Sequence, residues 1–536
     1  MKKAKSVLLS LGVCALALTG CGKGNMDTSN KIVISCVHLG YGVQWLTTLM
    51  DEYTKKTGIE FYFQEGVGRT NNNKFDDEIR SLRAQSDIYG LRPNSFFRLL
   101  YQGKVTTYGK TYDHIYEPLT DIYQSEYEGE SGKNTMEKKM DEGFKEYVNF
   151  ENNYYGVPWA NGFVSFVRNL DVWERFGYTA DQYPRTTDEL FEMMDDMNVK
   201  IATSSDSKIK SAAPMIYSAK AEYYSTVVGS WFAQYEGEEN MNKYYQGLDP
   251  DGKVSKYLLS YDGALEALKV LERIVEYDKG TQKYKYQHSK SKTAEFTQMQ
   301  DYFLLGDAAF CVNGTWLEFE NPLTTSKRVD YIKIPLVSSI VKQLSKTYTE
   351  AQLRELVSFI DAHPEAGDNT GAPSAFDVQD IERVRNSRNT GSYMRTDYDH
   401  LFVIPSWSTK KDMAKDFLKW MYSDEALQLF YNKMNGHHLP ATLSNGDYDS
   451  TQTTFSGFRQ SCNKVFKEGK FCNYLIGTSK PKIYSIAGVQ SNLSNSSEKM
   501  NGSCCDWLVD GYSAEYVYSL NQDFMEKSWD DISKKI

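Results

Sequence analysis

After the first twenty residues, no stretch reaches the eighteen or so apolar residues that a membrane-spanning helix needs. No CxxC pair or His-rich spacing marks a zinc site, and no metal or cofactor is expected. GxSxG, HExxH, phosphate-loop and dinucleotide fingerprints are missing in context, so no familiar catalytic constellation announces itself. An excess of positive charge is absent too: 61 Lys and Arg face 71 Asp and Glu, a formal net charge of −10. That balance argues against nucleic acid, which is bound by concentrated Lys and Arg on one face. There is no internal repeat and no low-complexity tract. What remains is a chain with 40% hydrophobic and 25% charged residues, the composition of a soluble globular protein. At 536 residues it is too long for one core, which predicts two domains or more. Tyrosine is abundant, at 39 residues.

The N-terminus reads as an export signal over residues 1–20: Lys2, Lys3 and Lys5 form a basic start, SVLLSLGVCALA an apolar run of signal length, and Leu18-Thr19-Gly20-Cys21 follows. The tetrapeptide resembles the lipobox of bacterial lipoproteins, which implies a diacylglycerol on Cys21. Two acyl chains, at roughly 0.8 kcal/mol per buried CH₂, anchor stably where one is marginal. Residues 21–30, small and polar after the cysteine, read as a tether between membrane and fold. Loss of the three lysines takes the formal charge from −10 to −13. The expected location is the outer face of the bacterial cell membrane.

Beyond the tether, KIVISCV (31–37) is a short apolar run fitting a buried parallel strand, and the next segment repeats Val43, Leu46, Leu49, Met50 and Tyr53 at helical spacing before Gly58. IEFYFQEG (59–66) alternates as a second strand. Strand, helix and strand in so few residues predict an α/β fold with a parallel sheet. The pattern continues with a helix from about Lys74 to Ala84, a strand near SDIYGL and a helix from about Pro93 to Gln102. In PRTTDELFEMMDDM, Thr187 is the expected N-cap, with acids in the first turn. From about Val341 to Tyr398 the chain is more polar, with one convincing helix in TEAQLRELVSFIDAH, and reads as an insertion over 336–398.

The joint order of KIVIS, KKTGIEF, SDIYGL, YYGVPWANGFVSFVRNLDVWERFGY, YFLLGDAAFCVNGTW, VDYIKIPLV and VIPSWSTKKDMAKDFLKWMYSDEALQLF resembles the family 1 extracellular solute-binding proteins of ABC importers, the maltose-binding-protein-like lipoproteins. The resemblance covers nearly the whole mature chain; the insertion, the extended C-terminal part and the length depart from it. It implies a two-lobed periplasmic-binding-protein-like fold, with residues 31–155 and 399–433 in one lobe and 156–335 and 434–536 in the other. Hinges are expected near 155–160, Pro335 and 434–440. The resemblance further implies that a carbohydrate, expected to be an oligosaccharide, is held in the central cleft and passed to ABC permease subunits by a monomer that is not an enzyme. Closure must be driven by contacts made better in the closed state.

Sugar sites combine aromatic faces with amides, carboxylates and Arg. Trp316, past a strand and at a helix start, matches a position where family members carry a stacking aromatic; Trp159 and Asn161 follow a Gly-Val-Pro turn where the family places a crossing segment. Glu222, Tyr223 and Tyr224 sit at a helix start that supplies ligand contacts in the family. His38, Tyr41 and Gln44 occupy the first strand-to-helix loop, and Arg92 and Asn94 the loop after the third strand, where ligands sit in open α/β sheets. Trp407 precedes a helix and completes the set. Two other classes stay open: a membrane-anchored glycoside hydrolase working with paired carboxylates, and a binding lipoprotein for a non-sugar solute such as a peptide.

Cys36 and Cys311 lie in apolar runs and read as buried hydrophobes. Cys462 with Cys472, or either with the Cys504-Cys505 pair, are candidates for one late disulfide whose connectivity the sequence leaves open.

Overall fold

A computed structural model describes residues 31–92, 95–218, 223–437, 439–451, 454–469, 471–473, 480–489 and 504–536. Nine strands form one mixed sheet: β1 Lys31–His38, β2 Glu60–Val67, β3 Ile88–Leu91, β4 Val157–Asn169, β5 Ala213–Ile216, β6 Ala308–Gly314, β7 Val329–Ile332, β8 Tyr393–Val403 and β9 Phe471–Asn473. The main path runs β2–β1–β3–β8–β4–β6–β5, with β7 on β4 and β9 on β8.

The first lobe is built as its sequence suggests. β1 lies parallel between β2 and β3, and Ile32, Ile34, Cys36 and Val37 are wholly buried. Helix α1, Gln44–Thr57, turns Trp45, Leu46, Leu49, Met50 and Tyr53 inward and stops at Gly58, whose φ of +75° lets its N–H reach Thr54 O. Helix α2, Gly68–Arg80, begins well before the expected Lys74. Its first turns are polar because Asn72 is buried to clamp a loop rather than to fill a core. Helix α3 is Phe96–Tyr101.

β4 and β8 are the long strands that pass through both lobes. Val157–Trp159 pair with Phe402–His400 beside β3, whereas Val164–Arg168 pair with β6. Between these stretches Ala160 takes φ +59°, and the β4–β8 register shifts between Arg395 and Asp397. A left-handed alanine on one strand and an irregularity on the other mark where the sheet passes from lobe to lobe. At Pro335, expected near a hinge, the carbonyl accepts from Trp231 Nε1, and the neighbouring Ile334 N donates to Ser392 O just before β8. Residues after 434 turn back onto the first lobe, where Asp141 N donates to Pro440 O and Thr442 N to Lys139 O.

The second lobe carries α4 Thr187–Thr203, α5 Tyr223–Glu236, α6 Asp262–Ile274, α7 Leu317–Glu320, α8 Glu350–Ala362, α9 Val378–Thr390, α10 Gly457–Glu468 and α11 Ala514–Ser533. Thr186, one residue before the expected cap, accepts from Glu189 N at the start of α4. The polar stretch holds two helices, not one. α8 is tied to α4 by Arg354 on Glu192, and α9 closes the C-terminus of α5 through Arg383 donating to the Gln234 and Tyr235 carbonyls. Cys36 and Cys311 are buried as expected. Cys462 is a buried thiol, so the expected late disulfide does not run through it, and the Cys472 side chain lies outside those described. Among the described residues no helix is long and apolar enough to cross a membrane.

Candidate functional site

The carboxyl ends of β1, β2 and β3 in one lobe face the carboxyl ends of the parallel pair β5 and β6 in the other. That is where an open α/β sheet holds ligands. From β1 the chain turns through His38-Leu39-Gly40-Tyr41-Gly42 into α1. Gly42 has φ +68° and its N–H returns to Leu39 O, a turn that an L side chain resists. The turn aims Tyr41 at the other lobe. Its hydroxyl shares a 2.8 Å hydrogen bond with Thr315 Oγ1 just past β6, and its ring meets Trp316 edge-on, with centroids 6.1 Å apart at 90°. Phe319 and His437 complete the surround, at 5.7 and 4.1 Å from the Tyr41 ring.

Trp316 is seated between two glycines. A Cβ on Gly40 would fall 2.9 Å from Trp316 Cγ, and one on Gly314 would fall 2.3 Å from its Cζ2. The indole is only 7% exposed, so in this arrangement it is a contact between lobes.

Of the other sequence-selected residues, His38 and Gln44 flank Gly42 in the same turn. His38 Nδ1 lies 2.7 Å from Glu65 Oε1, both side chains being about two-fifths exposed, and Gln44 is exposed at the start of α1. The loop after β3 is held at Arg92 by Asn72, which accepts from Arg92 N at 2.8 Å and donates to Arg92 O at 2.9 Å. Asn94 and Glu222 lie outside the described residues. Tyr223 and Tyr224 open α5 and Asn161 lies on β4 at the crossing, but their side chains are not among those described.

Two tryptophans stand apart from this group. Trp159 is fully buried, stacked on Trp45 at 5.4 Å and 19° and edge-on to Tyr422 and Phe430, so its faces are taken by protein. Trp407 donates through Nε1 to Ala84 O at the opposite end of the first-lobe sheet, since β8 runs antiparallel to β3 with Val403 against Tyr89.

Sequence reasoning missed Gly40, Thr315, Phe319 and His437, and also the support behind them. Arg459 on α10 and Glu318 on α7 form a buried ion pair, with Nε 2.7 Å from Oε1. Arg459 Nη2 also donates to Thr315 O at 3.0 Å, and Ser456 Oγ donates to Glu318 Oε2 at 2.7 Å. The spacing of two glycines around Tyr41 was the available signal for a close approach; nothing local links residue 459 to residue 315. Three carboxylates beside the junction are engaged, Glu65 by His38, Glu318 by Arg459 and Ser456, and Glu320 by Gln300. No group of three or more metal-binding side chains occurs among the described residues.

The sequence matches the family described as Bacterial extracellular solute-binding protein over residues 48–453. No curated protein matches it by sequence. Among solved structures it is similar to a chitin oligosaccharide binding protein, with a TM-score of 0.59 and 12% identity over 93% of this chain and 99% of that one. An ABC transporter solute-binding protein from Thermotoga lettingae TMO, bound with α-D-tagatose, gives 0.56 and 13% over 93% and 99%. A maltose-bound protein from T. maritima gives 0.56 and 13% over 92% and 99%. At such identities the likeness speaks for the fold, and it agrees with the two-lobed α/β architecture; the family match over most of the chain establishes membership, and this protein is a bacterial extracellular solute-binding protein.

Proposed function

We propose that this chain is the lipid-anchored, extracytoplasmic component of an ABC importer that captures a carbohydrate between its lobes and delivers it to the permease subunits as a monomer without chemically altering it. The observation that carries the reading is the Tyr41–Thr315–Trp316 contact between lobes, set where the strand ends of both lobes face each other. Similar structures named for binding chitin oligosaccharide, tagatose and maltose support a sugar as the solute class. The lipobox-like Cys21 supports anchoring at the outer membrane face, behind the 1–20 signal and 21–30 tether. The proposed ligand set is Trp316, Tyr41, His38, Gln44, Arg92, Asn94, Asn161, Glu222, Tyr223 and Tyr224. Trp159 and Trp407 are left out because their surroundings are protein. In this reading one lobe comprises the described residues of 31 to about 158 with those of 400–449, and the other those of about 159–399, with 336–398 as an insertion, together with 454–469.

A thermal-shift screen of the mature chain against mono- and oligosaccharides tests this, because a ligand that binds only the folded state raises the melting temperature by mass action. A shift without turnover supports capture. Product formation from any glycan supports the hydrolase alternative, and a shift with peptides alone moves the solute class. Membrane fractionation of Cys21→Ser tests the anchor: the variant is expected in the soluble fraction.

A further inference from the structure

We propose that Arg459, on a helix that begins after the family-matched stretch ends at residue 453, is the positioning residue for the contact between the lobes. The inference rests on the reading that this protein works by lobe closure.

The turn from β6 into α7 carries the second lobe's share of that contact, Thr315 and Trp316, and it has little local support. α7 is four residues long, too short to be stable alone, and its N-cap residue Trp316 makes no side-chain cap bond. Two outside clamps hold the turn. Thr315 N donates to Phe163 O on β4 at 2.9 Å, and Thr315 O accepts from Arg459 Nη2 at 3.0 Å. The backbone of Thr315 is thereby held at both ends, and its hydroxyl, which also accepts from Phe163 N at 3.4 Å, faces Tyr41 of the other lobe.

Arg459 is itself locked. Its Nε and Nη2 both engage Glu318 Oε1; Glu318 Oε2 takes the Ser456 hydroxyl, and Ser456 Oγ accepts Arg459 N at the start of α10. The ring Ser456–Glu318–Arg459–Thr315 thus joins α10 to α7 and to the turn between β6 and α7. Both charged side chains are nearly inaccessible, at 0% and 2%, and Arg459 Nη1 has no protein partner. A buried ion pair with a donor unspent is a poor stabiliser against apolar residues of equal size. What the planar guanidinium supplies is geometry, since one fork spans a carboxylate and a backbone carbonyl, which a lysine ammonium does not reproduce.

The experiment compares the purified mature chain with three variants by small-angle X-ray scattering and urea unfolding. Tyr41→Phe removes the bond between the lobes and leaves the ion pair. Arg459→Met with Glu318→Leu removes both charges, so none is left buried and unpaired. Arg459→Lys keeps the charge and loses the fork, and it serves if the double variant does not fold. The expected result is a rise in the radius of gyration for all three, with each variant still unfolding in a single cooperative transition. The proposal is overturned if Tyr41→Phe expands the molecule while the Arg459 variants keep the wild-type scattering curve, or if no variant expands. No glycan is needed, so a negative sugar screen would defeat the proposed solute and leave this result standing.

Discussion

Gly40 of the first lobe lies against the indole of Trp316 in the second, so close that a methyl group on its α-carbon would sit 2.9 Å from Cγ and 3.1 Å from Cδ1. The neighbour is a rigid ring, itself backed by Gly314, and it cannot yield as a flexible side chain would. Gly40→Ala is therefore expected to leave each lobe intact and to obstruct their approach. Overpacking of this kind costs about 1–3 kcal/mol, which corresponds to a dissociation constant weakened by roughly five- to 150-fold. Calorimetric titration with whichever sugar gives the largest thermal shift checks this, and unchanged affinity would mean that Trp316 and Gly40 separate when ligand is held.

Ala160 occupies the left-handed region, φ +59°, in the crossing strand β4. A non-glycine residue there costs on the order of 1 kcal/mol. Ala160→Gly removes that strain from the folded state, while the added freedom of the unfolded chain offsets about 0.4–1 kcal/mol. The expected urea midpoint is unchanged or slightly raised. Gly42→Ala, which puts a side chain at φ +68° and 2.6 Å from Gln44 Oε1, is expected to lower it. If Ala160→Gly instead cost as much as Gly42→Ala, the methyl group would be contributing packing that outweighs the strain.

How much of this could be read from sequence follows the range of the interactions. β1, α1 and β2 were legible because a continuous apolar run, a 3.6-residue repeat and a glycine stop are local signals. Trp316 was placed past a strand and at a helix start, where it stands. Trp159 was not separable from a cleft residue, because the rings that enclose it, Trp45, Tyr422 and Phe430, are remote in the chain. α9 escaped for a different reason: its inward face includes Asp380, Arg385 and Arg388 along with Val384 and Ile381, so hydrophobic periodicity fails on a helix that docks through ion pairs. Arg459 was invisible for both reasons at once.

Asp76 on α2 is buried beneath the loop after β3; Ser95 donates to its Oδ2 at 3.3 Å, and Oδ1 has no protein partner. Burial pushes its carboxyl up to about 6, against the pull of Arg80. A folded-state value above the unfolded one means that the native protein binds this proton more tightly. Its contribution is therefore full below about pH 4 and is lost as pH rises through 6. Asp76→Asn mimics the protonated acid, so the variant is expected to match wild type near pH 4 and to exceed it at pH 8 by on the order of 3 kcal/mol. Thermal unfolding at the two pH values checks the crossover.

Asp361 reverses that sign and reveals how α8 and α9 are secured. It lies on α8, where Oδ1 accepts from Lys333 Nζ and from Arg388 Nε of α9, both at 3.0 Å, and Oδ2 accepts from Arg388 Nη2 at 2.9 Å. Burial alone would raise its carboxyl, but the charges of Arg388 and Lys333 prevail and hold it at about 2. Its contribution is present above about pH 4 and disappears as pH falls through 2. Asp361→Asn removes the counter-charge from two buried cations and is expected to cost about 3–5 kcal/mol near neutral pH. The two cations then differ in what they can do. Arg388 cannot shed its proton, whereas Lys333, already depressed by burial and now without Asp361 to oppose it, can. A depressed lysine regains stability as pH rises through its folded value, so the deficit of Asp361→Asn should shrink at alkaline pH. A deficit that stays constant from pH 6 to pH 10 would place the whole cost on Arg388.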